Sequence, residues 1–317
     1  MNNDLQSLKK LISINTQNPG TDYQFMLGYL KKYLKKKGAK INVVAKNLVA
    51  TWGKPKILIN AHIDTVKAIG WKTNPLKTNV KNGRISGLGA CDNKGNIYCM
   101  FKATEKLPKN LMLLFSVDEE FGRHSRIKPF LNSKYAKGIK KIIVLEPTEN
   151  KVVTKHPGYY SFWLTFSAKQ GHSSAVKDNA ILKAADAISK MKDFNVGAIE
   201  SRNISGNVSA GECKIKISIR TFEKHSTIMK TIKVAAKNAK IEPSFIGLPF
   251  HNNKPFIKSS HNVRFWSEAA IFSQHGCNTI LYGAGSIRQA HASDEYVTVK
   301  SLEKCISFLK KIIGEYS

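Results

Sequence analysis

The 317 residues hold 51 lysines and arginines against 22 aspartates and glutamates, a formal charge of +29, and five cysteines (Cys91, Cys99, Cys213, Cys277, Cys305). The length exceeds a minimal domain and suffices for one large or two moderate ones with a substantial core, while the odd cysteine number without a CxxC pair reads as reduced thiols rather than a disulfide framework. The lysines run along the whole chain, in KKYLKKKGAK, IKKI, KMKD and LKKII; no aromatic-interleaved or recognised nucleic-acid motif accompanies them, so the charge reads as a solvated surface able to steer small anions, not as a nucleic-acid face.

The opening MNNDLQSLKKLISINTQNPG lacks the uninterrupted apolar segment of a signal peptide, and no run approaches the roughly 18 apolar residues of a membrane span. A soluble cytoplasmic protein with no membrane partner is expected. Residues 4–15 and 22–37 place apolar and charged side chains at helical spacing, and KILINAHID reads as a buried strand behind Gly53 and Pro55. A turn-rich stretch (Gly70, Asn74, Pro75, Asn82, Gly83) leads to Gly95 and a helix over Asn96–Leu107. A strand over Leu111–Val117, a helical segment near Ser125–Leu131 and a strand over Lys141–Leu145 continue a βαβ alternation, which implies a sheet with helices on both faces.

From Pro157 the texture changes. SFWLTFSA alternates like a half-exposed strand, NAILKAADAISKM is an amphipathic helix, and FNVGAI and ECKIKISIR are strands. HSTIMKTIKVAAKN and KIEPSFIG then supply a second helix and a last strand. The order β-α-β-β-α-β suits a small ferredoxin-like sandwich. After Pro255 the alternation resumes with a helix in VRFWSEAAIFSQHG, a strand in NTILYG and a closing helix over Ser301–Ile313. The expected organisation is a discontinuous domain, 1–156 and 254–317, with the sandwich, 157–253, inserted.

The residues that carry chemistry end apolar runs: His62 and Asp64 in ILINAHID, Asp92 in GLGACDNKG, Glu119 and Glu120 in LMLLFSVDEEFG, Glu146 in KIIVLEPT, and His291 in GAGSIRQAHASDEYV. In an α/β sheet the ligand crevice lies at the carboxyl ends of the strands, where such residues converge. Two histidines and several carboxylates without cysteine favour zinc, or cobalt or manganese, and this pattern implies a two-metal hydrolase. His62 and Asp64 are two apart on a strand end, so Asp64 can accept the imidazole N–H that a metal-bound histidine gives away. Asp92, flanked by Gly87, Gly89 and Gly95, can bridge two ions roughly 3.5–4 Å apart. Glu119 and Glu120 point differently on extended backbone, one toward metal and the other free as a general base. Alone, each signal is weak: a lone HxD is an ordinary strand-end pair, DEE a solvated acidic turn, and a strand-end Glu a helix cap.

The motifs NAHIDTV, GLGACDNKG, VDEEFG, LEPT, QGHSS and GSIRQAHASDEYV together resemble the metallo-aminoacylase and carboxypeptidase family, the M20-like peptidases, over nearly the whole length. The resemblance implies a metal-dependent exopeptidase-type α/β/α catalytic domain with an inserted ferredoxin-like lid and dimerisation domain. It implies two divalent ions, zinc or cobalt. His62, Asp92 and Glu146 would hold one, and Asp92, Glu120 and His291 the other. Glu119 would be the base, Asp64 the orienter of His62, and His172 of QGHSS the stabiliser of the oxyanion. NVSAGECKIKISIR matches a lid strand whose Asn207 and Arg220 would contact substrate, a bidentate arginine suiting an α-carboxylate; Gly285 is counted with them. YGAGSIRQAHASDEYV is similar to the acetylornithine deacetylase form, and WSEAAIFSQHG and GLGACDNKG resemble the acetylcitrulline offshoot, which places a cysteine before the bridging aspartate. Ala284, Pro157 and Asn93 depart from the pattern but remove neither a ligand nor the base. The implied activity is removal of the N-acetyl group from N2-acetylornithine or N-acetylcitrulline, in arginine biosynthesis, by a homodimer. The rivals are a desuccinylase, a dipeptidase or carboxypeptidase, and a metal-binding or nucleic-acid-associated protein without turnover.

Overall fold

A computed structural model describes residues 5–120, 126–203 and 205–316. The expected helix start at Ser125 and the Phe121–Gly122 end of the VDEEFG motif lie outside the described residues, as does position 4. The chain divides into two units: 1–155 with 251–263 and 267–317, and 156–250 with 264–266.

Among the described residues, the first unit is built on a nine-stranded mixed sheet. Its centre is parallel: strand Ile57–His62 lies between Leu111–Ser116 and Lys141–Leu145, and Asn278–Tyr282 continues beyond Lys141–Leu145. Parallel central strands are buried on both faces, which is why these segments read as unbroken apolar runs. Ile57, Ile59, Ala61, Leu113, Phe115, Ile143 and Leu145 join the large core with helices Gln6–Ser13, Gln24–Lys36, Lys94–Ala103 and Val299–Tyr316. The alternate residues Leu58, Met112, Leu114, Ile142 and Val144 are buried as well. The antiparallel pair Lys40–Val44 and Asn47–Trp52, turned by Ala45 and Lys46 at positive φ, closes one edge. That hairpin was not among the expected elements, because its outer strand is half exposed and carries no apolar run.

The second unit has the order β-α-β-β-α-β around a four-stranded antiparallel sheet. Strands run in the spatial order Asn195–Glu200, Glu212–Thr221, Gly158–Ser167, Lys240–Gly247. Tyr160, Phe162, Leu164 and Phe166 face Cys213, Ile215 and Ile217 into one core, covered by Ala180, Ala184 and Ala187 of helix Ala180–Lys190 and by Ile228 and Ile232 of helix His225–Ala235. Asn179 caps the first of these helices, accepting the N–H groups of Ile181 and Leu182.

One expected helix is much shorter than its pattern. VRFWSEAAIFSQHG is helical only over Ala269–Gln274. Residues 264–266 are drawn into the second unit, where the Trp266 ring meets Phe245 edge-on at 4.9 Å and its Nε1–H donates to the Leu248 carbonyl. Among the described residues no helix is long and apolar enough to cross a membrane.

Candidate metal centre

Three of the ligand-type segments sit where a strand gives way to a loop. His62 ends its strand, Glu119 and Glu120 follow Leu111–Ser116, Glu146 follows Lys141–Leu145, and Asp92 precedes helix Lys94–Ala103. His291 comes from the loop after Asn278–Tyr282, with its backbone at a positive φ of 63°, a conformation a branched or bulky residue adopts only when its surroundings hold it there.

These segments bring His62, Asp92 and Glu146 together in one group and Asp92, Glu120 and His291 in a second, the ligand atoms of each group all within 4.8 Å of one another. Asp92 belongs to both. His62 Nε2 lies 2.9 Å from Asp92 Oδ1, and His291 Nε2 lies 3.5 Å from Asp92 Oδ2 and 3.0 Å from Glu120 Oε1. The first group is wholly buried, whereas the His291 side chain is 46% exposed, so the centre opens to solvent at its second group.

The His62 ring is oriented by its neighbour's backbone. Nδ1 lies 2.9 Å from the Asp64 carbonyl oxygen and 3.7 Å from the Asp64 carboxylate. A carbonyl only accepts, so Nδ1 carries a hydrogen, and Nε2 is the ring atom that faces Asp92 and the centre. The Asp64 carboxylate is engaged elsewhere: it accepts from the Glu119 N–H at 3.3 Å, the Glu120 N–H at 3.0 Å and Asn18 Nδ2 at 3.1 Å. Asp118, at φ 65°, turns the chain into this pair and accepts from the Tyr23 hydroxyl while pairing with Arg126 at 3.1 Å.

The electrostatics call for cations. Burial alone would depress the His62 pKa, but its contacts with Asp64 and Asp92 push it well above the ordinary histidine value. His291 behaves the same way: burial opposes its charge, and the Asp92 and Glu120 carboxylates drive it up to about 11. Asp92 is pulled far below the carboxylate range despite burial, chiefly by hydrogen bonds from His291 and His62. Glu146 and Glu119 are pushed well up by burial and by crowding of like charge, with Asp92 beside the first and Glu120, Glu268 and Asp64 beside the second. Glu146 Oε1 is buried with no hydrogen-bond partner among the described residues, and an orphaned buried carboxylate oxygen is costly unless something positive meets it. The donor set of nitrogen and oxygen atoms, the shared carboxylate and this orphaned oxygen fit two divalent ions. Glu119, half-buried, belongs to neither group.

The remaining predicted positions are as follows. Gly285, at φ 85°, has both backbone groups engaged, its N–H with Ser301 Oγ and its carbonyl with the Glu149 N–H. A Cβ there would meet Cys91 Sγ at 2.4 Å. His172, Asn207 and Arg220 belong to the second unit. His172 is exposed, in a short pair with Val208–Ser209, and the Ser173 N–H donates to the Asn207 carbonyl. Its Nδ1 lies 2.7 Å from Ser174 Oγ and 3.3 Å from the Ser174 amide nitrogen. Arg220 is exposed and stacks over Tyr159 at 4.4 Å.

Four buried or half-buried groups escaped the sequence reading. The Glu295 carboxylate accepts the N–H groups of Gly89, Cys91 and Asp92. Glu268 Oε2 accepts from Asn60 Nδ2 at 3.0 Å and from Ser116 Oγ at 2.6 Å, fastening two adjacent strand ends. Lys94, fully buried, donates to the Ile14 carbonyl at 2.8 Å, and desolvation brings its pKa down to about 7. Asn18 joins Asp64 to Asp118 through one amide. Glu295, Lys94 and Glu268 stood in the motifs GSIRQAHASDEYV, GLGACDNKG and WSEAAIFSQHG without an assigned task, and Asn18 lies in none of the motifs.

A sheet of this topology with two carboxylate-sharing ligand groups defines a metal-dependent amidohydrolase. Residues 58–315 match the model of peptidase family M20/M25/M40, and the chain belongs to that family. It is 28% identical to an N-acetyl-L-citrulline deacetylase from Xanthomonas campestris pv. campestris, over 98% of this chain and 97% of that one. It is 25% identical to an acetylornithine deacetylase from Myxococcus xanthus, over 90% and 87%. Among solved structures, an M20 family metallo-carboxypeptidase from Sulfolobus solfataricus superposes with a TM-score of 0.83 at 16% identity, covering 100% of this chain and 99% of that one. An aminopeptidase from Bacillus cereus gives 0.78 at 18%, covering 99% and 98%.

Proposed function

We propose that the chain removes the acetyl group from an N-acetyl-α-amino acid, N2-acetylornithine or N-acetylcitrulline, releasing acetate and the free amino acid. The observation that carries this reading is a half-buried carboxylate, Glu119, standing outside two ligand groups that share Asp92. A purely structural metal site has no use for a spare base. The choice of substrate is supported by the names of the deacetylases that match nearly the whole chain.

His62, Asp92 and Glu146 would hold one divalent ion, and Asp92, Glu120 and His291 the other, with zinc or cobalt suited to the donors. Bound there, two ions supply a water of lowered pKa and polarise the scissile carbonyl. Glu119 takes the water's proton and passes it to the departing amine. His172 is assigned the developing oxyanion, for which an imidazole N–H is the right kind of donor. Arg220 and Asn207 are assigned the amino-acid end of the substrate.

The test is a panel of N-acetylated and N-succinylated amino acids and a free dipeptide, assayed for released amine with added zinc or cobalt. Acetylcitrulline or acetylornithine should show the highest kcat/KM. Preference for a succinylated substrate would move the reading to a desuccinylase. The chain is further proposed to act as a homodimer through the second unit, His172 serving its partner's centre. Mixing His172→Ala with Glu119→Gln should then restore roughly a quarter of the parent activity on subunit exchange. No recovery after demonstrated exchange counts against it.

A further inference from the structure

Asp92 is the one carboxylate common to both ligand groups, so whatever fixes its position governs both. Its loop runs through Gly87 and Gly89 at positive φ, and a Cβ at Gly89 would lie 2.9 Å from Lys94 Cδ and 2.9 Å from Thr65 Cγ2. This compact turn directs three backbone N–H groups to a single point. Gly89 donates to Glu295 Oε2 at 2.9 Å, and Cys91 and Asp92 donate to Glu295 Oε1 at 2.8 and 2.9 Å. The Glu295 side chain is 1% exposed. Successive amides converging in this way form an anion cradle, and here the anion is part of the chain. Glu295 also stands four residues after His291, and its own carbonyl accepts the Gly87 N–H at 3.1 Å. The segment that delivers His291 is thereby tied to the loop that delivers Asp92.

We propose that Glu295 is a positioning residue for the metal centre: its carboxylate, seated on the Gly89, Cys91 and Asp92 amides, sets the Asp92 carboxylate between the two ligand groups and locks the His291 loop to it. The proposal rests on the two-ion reading of the centre. Glutamine is the discriminating substitution. Of its two terminal atoms only one can accept, so either the Gly89 N–H or the Cys91 and Asp92 pair meets an NH2 group.

The experiment titrates zinc into metal-stripped parent, E295Q and E295D in competition with a chromophoric chelator, and separately records each metal-free thermal midpoint. Loss of an outer partner of a ligand lowers metal affinity roughly 10- to 100-fold, and because Asp92 is shared, both zinc ions should weaken in E295Q. E295D keeps the charge but retracts the oxygens by one methylene, and should weaken both as well. The cobalt-loaded variants should also show an altered visible absorption band, which a role in folding alone would not produce. A lowered metal-free midpoint with unchanged zinc affinity and an unchanged cobalt band would make Glu295 a fold-holding residue and overturn the proposal. If E295Q does not fold, E295D decides by the same readouts. A parent chain that takes up no zinc would bring down the reading of the centre itself, whereas two zinc ions bound equally well by parent and variants would bring down only the role of Glu295.

Discussion

Asp64→Asn tests how the base-bearing turn is held. Asp64 is fully buried, and its two oxygens receive three N–H donors, from Glu119 on Oδ1 and from Glu120 and Asn18 on Oδ2. Asparagine has one acceptor oxygen. Turned to serve Glu120 and Asn18, it sets its NH2 against the Glu119 N–H; turned the other way, it opposes the remaining two. One donor loses a charge-assisted bond of about 1.5–3 kcal/mol, and the bonds that remain fall to neutral strength, roughly 1 kcal/mol less each. The total is on the order of 3–5 kcal/mol, enough to displace the turn even if the fold persists. A shift of about 1 Å in a reacting group costs about a hundredfold, so kcat should drop by at least that much. His62 is held through the Asp64 carbonyl, which the substitution keeps. The zinc bound by His62, Asp92 and Glu146 should therefore retain its affinity, while the one using Glu120 weakens. Chemical denaturation of the metal-stripped chain, zinc competition and turnover of an acetylated amino acid measure the three quantities. Unchanged stability together with loss of the first zinc would refute this reasoning and return Asp64 to the role of imidazole orienter.

Glu119→Gln should cut kcat by about 10²–10⁴ with two zinc ions still bound, because Glu119 lies outside both ligand groups; Glu120→Gln should instead lower zinc content, and an exchange of these behaviours would reverse the two assignments. Gly95→Ala should destabilise the chain by about 1–3 kcal/mol in denaturant unfolding, despite alanine's better helix propensity, since its Cβ would lie 2.2 Å from the Ala90 carbonyl oxygen. Lys94 binds its proton less tightly folded, at about 7, than unfolded, near 10.5. Its charge therefore opposes folding fully below pH 7, and the penalty fades as pH rises toward 10.5. The metal-stripped parent should gain roughly 1.4 kcal/mol per pH unit relative to Lys94→Met between pH 7.5 and 9.5, and parallel curves in urea titrations would contradict a charged, desolvated lysine.

The strand-end chemistry was readable because parallel strands announce themselves as short apolar runs, and the residue that stops each run stands at the crevice. His62, Glu120 and Glu146 come from such stops, whereas Asp92 and His291 come from loops and were marked by the motifs around them. The β-α-β-β-α-β order of the second unit was readable for the related reason that its strands alternate and its helices do not. What escaped was structure set by non-local partners. Strand Lys40–Val44 gains its place by pairing along Asn47–Trp52, not by burial. Glu295 and Glu268 act through hydrogen bonds to residues 152 to 208 positions away, and no local pattern marks a carboxylate whose donors lie so far along the chain. The helix expected over 263–276 was cut short for the same reason: Trp266 packs on Phe245 and Gly247 instead of extending the turn of Ala269–Gln274.

The parallel pairing of Asn278–Tyr282 with Lys141–Leu145 also fixes an order of events at the ribosome. Roughly 130 residues separate the two strands, so at 5–20 residues per second the nascent sheet waits on the order of ten seconds with its Lys141–Leu145 edge unfilled. The intervening 156–250 segment is long enough to fold during that interval and has its own core. His62, Asp92, Glu120 and Glu146 are all synthesised before the pause, while His291 and Glu295 follow it. Translation therefore exposes an acidic half-site long before the segment that completes it emerges, and any divalent ion captured early would be held by the first group alone.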